Sequence, residues 1–226
     1  MLSIANNPLL TAEQKRFLLT FRDSPLSKAY YLTGGTALSA FYLQHRRSED
    51  LDFFSQELVP LEIVLDFIHS LPGVIKVQFD RKFDRRIFLV ELEENQAIKT
   101  EFTLYAFPRL EKNIVVDGVL VDSLQDILAN KVMALTDRMD AKDYVDLYCA
   151  VQKHPAVKIE RLIEDAGKKF GVSGVGHIIQ GRFLGDIPSP KGLYLTESLD
   201  PETVVAFFRN QVKSWISHRL STDPDL

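Results

Sequence analysis

The apolar positions of this chain change their period near residue 122. Before it, short apolar runs alternate with helical stripes. Thr11 to Thr20 reads as an amphipathic helix with Thr11 as its N-cap. Tyr30 to Leu32 is a short strand. Thr36 to Gln44 predicts a helix with Ala37, Ala40 and Phe41 on one face, and Leu51 to Phe54 a second strand. Leu61 to Leu71 places Ile63, Val64, Phe67 and Ile68 at helical spacing before Pro72-Gly73 ends it. Val74 to Phe79 and Ile87 to Leu92 predict strands around a charged turn, Ile98 to Tyr105 another, and Val115 to Val121 a hairpin around Asp117-Gly118. After Asp122 only the helical period remains: Ser123 to Arg138, Ala141 to Gln152, Lys158 to Phe170 and Thr203 to Leu220. Gly171 to Leu199, rich in Gly and Pro, reads as a connector, and Ser221 to Leu226 as a loose tail. The expected organisation is an α/β lobe over 1–122 and a helical lobe over 123–226.

The densest chemistry lies between Thr33 and Phe54. Gly34-Gly35 opens the helix, and Asp50-Leu51-Asp52 opens the following strand. Glycines let a backbone approach phosphate oxygens, and a helix N-terminus offers N–H groups to an anion. Alternate strand residues share a face, so Asp50 and Asp52 stand together, roughly 6–7 Å apart at Cα, while Leu51 and Phe53 turn inward. Two such carboxylates suit Mg²⁺ or Mn²⁺, the ions that stabilise the attacking and leaving oxygens of phosphoryl transfer. Glycine turn and acid pair together suit a metal-dependent nucleotidyltransferase.

Composition narrows the setting. Lys and Arg number 27 against 31 Asp and Glu, a formal net charge of −4, which argues against coating nucleic acid by bulk charge. The single Cys149 forms no internal disulfide and reads as a buried small hydrophobe. No basic-then-apolar leader and no apolar run of membrane length is apparent, so no membrane partner is expected and the cytoplasm is the expected compartment.

The run GGTALSAFYLQHRRSEDLDFF resembles the signature of the AbiEii-type nucleotidyltransferase toxins, a branch of the DNA polymerase β-like superfamily. A second run supports it: Lys131 and Arg138 seven apart, then Lys142-Asp143 with Asp146 three later. The resemblance covers about Leu32 to Tyr148. It implies an α+β fold, the polymerase β-like mixed sheet with flanking helices, followed by a helical C-terminal lobe. It implies Asp50 and Asp52 as metal ligands, with Gly34, Gly35 and Thr36 or Ser39 on the triphosphate. Lys131 would reach the β/γ-phosphates, and Asp143 matches the family's essential acid. The superfamily's third carboxylate, a metal ligand or base, has Glu101 as its candidate here. Arg138, and Arg47 or Arg46, are further phosphate candidates.

Structural alternatives stand beside these. Lys131 or Lys142 with Asp143 also fits a salt bridge in a helix hairpin, and Glu101 fits a strand acid paired with Lys99. The resemblance further implies an NTP substrate, a toxin role with a separate antitoxin partner, and an RNA acceptor such as tRNA. Arg81, Lys82, Arg85 and Arg86 form the densest basic patch and are the first candidates for contacting RNA. A small-molecule or protein acceptor, or a binding protein with a disabled site, are the other readings. No P-loop and no HExxH occurs.

Overall fold

Residues 3–222 are described by the computed structural model, with side chains through residue 217. They fold as two compact units, 1–127 and 128–226.

In the first unit, α1 (Ala12–Arg22) starts at a capping box. The Thr11 hydroxyl accepts from the Gln14 N–H, and the Gln14 side chain accepts from the Thr11 N–H. Strand β1 (Tyr31–Thr33) is buried on all three residues and runs straight into α2 (Gly34–Leu38). That helix begins two residues earlier than the apolar pattern predicts. From Ser39 to Leu43 it widens into a π turn, with the Gln44 N–H donating to the Ser39 carbonyl, and a left-handed Gln44 ends it. Next along the chain come β2 (Leu51–Ser55), α3 (Leu61–Ser70), β3 (Val74–Lys82), β4 (Arg85–Leu92), β5 (Gln96–Leu104), β6 (Ile114–Val116) and β7 (Val119–Val121). The predicted charged turn shrinks to Phe83-Asp84, because the strands on both sides continue through the basic residues.

Among the described residues the seven strands form one mixed sheet, ordered β3-β4-β5-β2-β1-β7-β6. β2 runs parallel to β5 and antiparallel to β1. One face of the sheet carries an aromatic core. Phe53 of β2 stacks on Phe102 of β5 at 5.0 Å, with Phe17 and Phe21 of α1 and Phe67 of α3 closing over them. Strand alternation therefore turns Asp52 and Glu101, their chain neighbours, to the opposite face.

Helix α4 (Leu124–Asp137) crosses from the first unit into the second. Its start is capped by Ser123, whose hydroxyl accepts from the Asp126 N–H. In the second unit, α5 (Ala141–Lys153), α6 (Ile159–Phe170), α7 (Val175–Leu184) and α8 (Pro201–Thr222) gather around Tyr144, Phe183, Phe208 and Trp215. Helix α7 corrects the expected connector. Gly176 and Gly181 weaken its helical signal, yet Val175, Ile179 and Phe183, one turn apart, are all buried. Tertiary packing outweighs local propensity there. Cys149 is half-buried rather than buried. Of the expected tail, Ser221 and Thr222 continue α8, and 223–226 lie outside the described residues.

Candidate active site

Gly34 adopts φ +72°, a backbone conformation that side chains rarely tolerate. A Cβ built on it would lie 2.1 Å from Asp52 Oδ2. Antiparallel pairing of β1 with β2 sets this contact, because Thr33, the residue before Gly34, pairs with Asp52. Gly35 faces a different wall. Its Cβ would lie 2.7 Å from Arg46 Nη2 and 2.8 Å from Ser48 Oγ. The turn thus carries a carboxylate against its first glycine and a guanidinium against its second.

Arg46, not Arg47, is the cation beside the turn. Arg46 is 3% exposed and donates to the Arg47 carbonyl, whereas the Arg47 side chain is exposed. The hydroxyls expected on phosphate are turned to backbone. Thr36 donates to the Asp50 carbonyl, and the buried Ser39 donates to the Thr36 carbonyl at 3.3 Å. The Thr36 bond ties the glycine helix to the approach of β2.

The acids meet across the β2–β5 pairing. Asp50 lies just before β2 and Asp52 within it, and Asp52 pairs with Glu101. Lys99 donates to Asp50 Oδ2 at 2.8 Å. Glu101 receives Arg85 through two bonds of 2.6 Å and the Thr103 hydroxyl at 2.6 Å. The Lys99 ammonium is held above its usual range, first by its hydrogen bond to Asp50, with burial opposing and the charges of Asp50, Asp52 and Glu101 adding. Arg85 is raised in the same way, first by its bond to Glu101, then through the charges of Glu101, Asp52 and Asp50 against burial. Both cations therefore sense all three carboxylates.

The donor set is all oxygen, which suits a hard divalent ion. Among the described residues, no three or more His, Cys, Asp or Glu side chains form a group that could hold a metal ion by itself. Mg²⁺ commonly completes its shell with water and substrate phosphate, so an aspartate pair fits it without a full protein cage.

The second motif assembles in the second unit. Lys131 Nζ lies 2.9 Å from Asp143 Oδ1 and 2.5 Å from Asp146 Oδ2. Arg138, just past the end of α4, reaches Asp143 Oδ2 at 3.0 Å. Both aspartate side chains are fully buried, and the Lys131 side chain is 9% exposed. Lys142 instead pairs with Asp140, the N-cap of α5. Each buried carboxylate thus meets a cation, as a buried ion cluster requires. Arg138 is the exposed member, at 53%.

Comparison with known proteins decides the family. Residues 16–225 match the model of the nucleotidyl transferase AbiEii toxin family of type IV toxin–antitoxin systems. The chain belongs to this family. It is a nucleotidyltransferase with a toxin's lineage. An uncharacterised protein of Aquifex aeolicus (strain VF5) is 28% identical over 217 residues, covering 92% of this chain and 98% of that protein. Two solved structures share the fold. One is a candidate nucleotidyltransferase from Helicobacter pylori, 20% identical, covering 89% of this chain and 91% of that one, with a TM-score of 0.59. The other is MenT4, a nucleotidyltransferase toxin of Mycobacterium tuberculosis, 18% identical, covering 92% and 87%, with a TM-score of 0.58.

The basic hairpin of this AbiEii-family chain divides its four cations. Arg85 turns to Glu101, and Arg86 donates to the Val59 carbonyl at 2.7 Å. Arg81 and Lys82 remain on the surface, Lys82 beside Asp80 at 3.7 Å. Ser48 is the site neighbour that the residue pattern does not single out, and Arg85, expected only as part of the basic patch, lies on Glu101. Arg85's place follows from the β4–β5 register, in which it pairs with Thr103, two residues from Glu101. Among the described residues, no helix is long and apolar enough to cross a membrane.

Proposed function

We propose that this protein transfers a nucleoside monophosphate from an NTP to a hydroxyl of an RNA acceptor, with Mg²⁺ or Mn²⁺ held by Asp50 and Asp52. The observation that carries the reading is the contact of Gly34 with Asp52. The glycine turn and the strand carboxylate touch, with no room between them for even a methyl group, which supports a phosphate and a metal ion meeting there. The divalent ion, when bound, supplies charge stabilisation to the attacking and leaving oxygens.

The chain's own groups do the rest. Gly34 and Gly35 present open backbone to the triphosphate, and Arg46 stands beside Gly35 as its counter-charge. The acceptor hydroxyl gives up its proton to solvent as its oxygen bonds to the α-phosphorus; the bond from that phosphorus to the α–β bridging oxygen breaks, and pyrophosphate leaves. Glu101, gripped by Arg85 and Thr103, serves as the third acid by holding Arg85 beside the pair. Lys131, Asp143 and Arg138 serve as the ion cluster that locks the helix pair α4 and α5. Arg81 and Lys82 are the local contacts for RNA. A separate antitoxin restrains the toxin in its host.

Purified protein incubated with Mg²⁺, total RNA and each α-labelled NTP in turn tests this. One nucleotide should appear covalently on RNA, and Asp52→Asn protein of unchanged melting temperature should give none. Label on protein or on a small molecule instead of RNA removes the acceptor assignment. Full transfer by folded Asp52→Asn removes the metal-site assignment.

A further inference from the structure

Strand β3 is one edge of the sheet, and among the described residues its outer backbone edge has no neighbouring strand. Edge strands of this length are usually guarded, since unpaired N–H and C=O groups invite pairing with another chain. This one keeps apolar side chains in the open. Phe79 is 42% exposed and Ile75 67%. Phe79 pairs with the buried Phe88 at 5.0 Å between rings, and Val77 pairs with the buried Val90. The core face of the sheet therefore continues onto β3, where α3 only partly covers it: Val77 is half-buried and Phe79 exposed. A bulge interrupts the register between Val74 and Lys76, so the stretch from Lys76 onward is regular.

That stretch reads Lys76-Val77-Gln78-Phe79-Asp80. Its charges and apolar groups are self-complementary about Gln78. We propose that β3 pairs antiparallel with β3 of a second copy of this chain, with the two-fold axis at Gln78. Lys76 then stands opposite the second copy's Asp80, and Asp80 opposite its Lys76. Val77 stands opposite Phe79, and Phe79 opposite Val77. Opposed side chains share a face, so the charges meet on one side of the joined sheet and the apolar pairs on the other.

The intramolecular contacts fit this row. Lys76 already leans on Glu91 at 3.6 Å, and Gln78 donates to Glu91 at 2.9 Å. Crossing the joined edge, the charges alternate Glu91, Lys76, Asp80. Within the chain Asp80 meets the exposed Lys82 at 3.7 Å, a contact of little energetic weight at a surface. A lysine alone guards an edge; a lysine two-fold related to an aspartate selects one partner and one register. An isologous two-fold closes on itself, so the assembly stops at two copies. The paired stretch is short beside a standard interface, which places the dimer among weak, reversible ones.

Sedimentation velocity of the full chain across a micromolar to millimolar series tests the proposal. Wild type should pass reversibly from monomer to dimer and no further. Lys76→Asp places like charges opposite Asp80 twice per dimer, and Asp80→Lys does the same with Lys76. Each should weaken association about tenfold or more. The double variant Lys76→Asp/Asp80→Lys restores both pairs and should return association to near the wild-type value. Both positions are exposed, and thermal melts of all four proteins establish that each stays folded under the conditions of sedimentation. A wild type that stays monomeric throughout, or that grows past two copies, overturns the proposal. So do single variants that dimerise normally, or a double variant as weak as the singles.

Discussion

The backbone of Gly34 lies against the carboxylate of Asp52 so closely that a Cβ would sit 2.1 Å from Oδ2. Gly34→Ala therefore meets two obstacles at once, a left-handed φ and a collision with a candidate metal ligand. The carboxylate is the movable partner and should be pushed aside. Transfer activity should fall by about 100-fold or more, while the aromatic core beneath β2 keeps the protein folded. Near-normal rates in a folded Gly34→Ala protein would remove the turn from the site.

Lys131→Met should act mainly on stability. It removes the cation that lies against both of the fully buried Asp143 and Asp146, while Arg138 stays on Asp143. Removing one partner of a buried ion cluster costs about 3–5 kcal/mol. Chemical denaturation of variant and wild type measures this directly. A loss below about 1 kcal/mol together with collapsed NTP use would assign Lys131 to the triphosphate instead.

Lys99→Met should tighten divalent-ion binding. Lys99 sits on Asp50 Oδ2, where an ion held by Asp50 and Asp52 would compete with it. Titration calorimetry with Mn²⁺ should show a lower Kd in the variant, and Asp50→Asn should show a higher one. Unchanged affinity in both would place the ion elsewhere.

Alkaline pH should unfold the first unit through its tyrosines. Burial raises Tyr31, Tyr42 and Tyr105 above the ordinary phenol value, and the negative charge of Asp122 adds to each. A folded-state value above the unfolded one means this stability is complete below about pH 10 and is lost as pH rises toward the folded value. Ultraviolet difference titration should show these phenols ionising late, together with the loss of folded signal. Phenols that titrate normally in the folded protein would contradict the burial.

The glycine turn and the acid pair were legible because both depend on local rules, a φ that favours glycine and the alternation of a strand. The choice between Arg46 and Arg47 was not. The helix ends at a π turn and a left-handed Gln44, so Arg46 and Arg47 lie in irregular backbone where no helical period says which of them faces the turn. The grip of Arg85 on Glu101 depends on cross-strand register, which no single strand encodes. The sequence weighed Lys131 and Asp143 both as a phosphate site and as a helix-pair lock, and the residue types serve either. Their burial is what favours the lock. Helix α7 was hidden by its glycines and exists because Ile179 and Phe183 find a core to enter.

The parallel pairing of β2 with β5 has a consequence for a protein made one residue at a time. Asp50 and Asp52 emerge from the ribosome early, but Glu101 and Lys99 arrive only after the whole β3–β4 hairpin. β5 lies between β4 and β2, so the acid cluster is complete only once β5 has been made. A nascent chain that stops before Gln96 carries the glycine turn and two acids without the strand that completes them. Products truncated there lack Glu101 and Lys99, and with them the strand that pairs with Asp52.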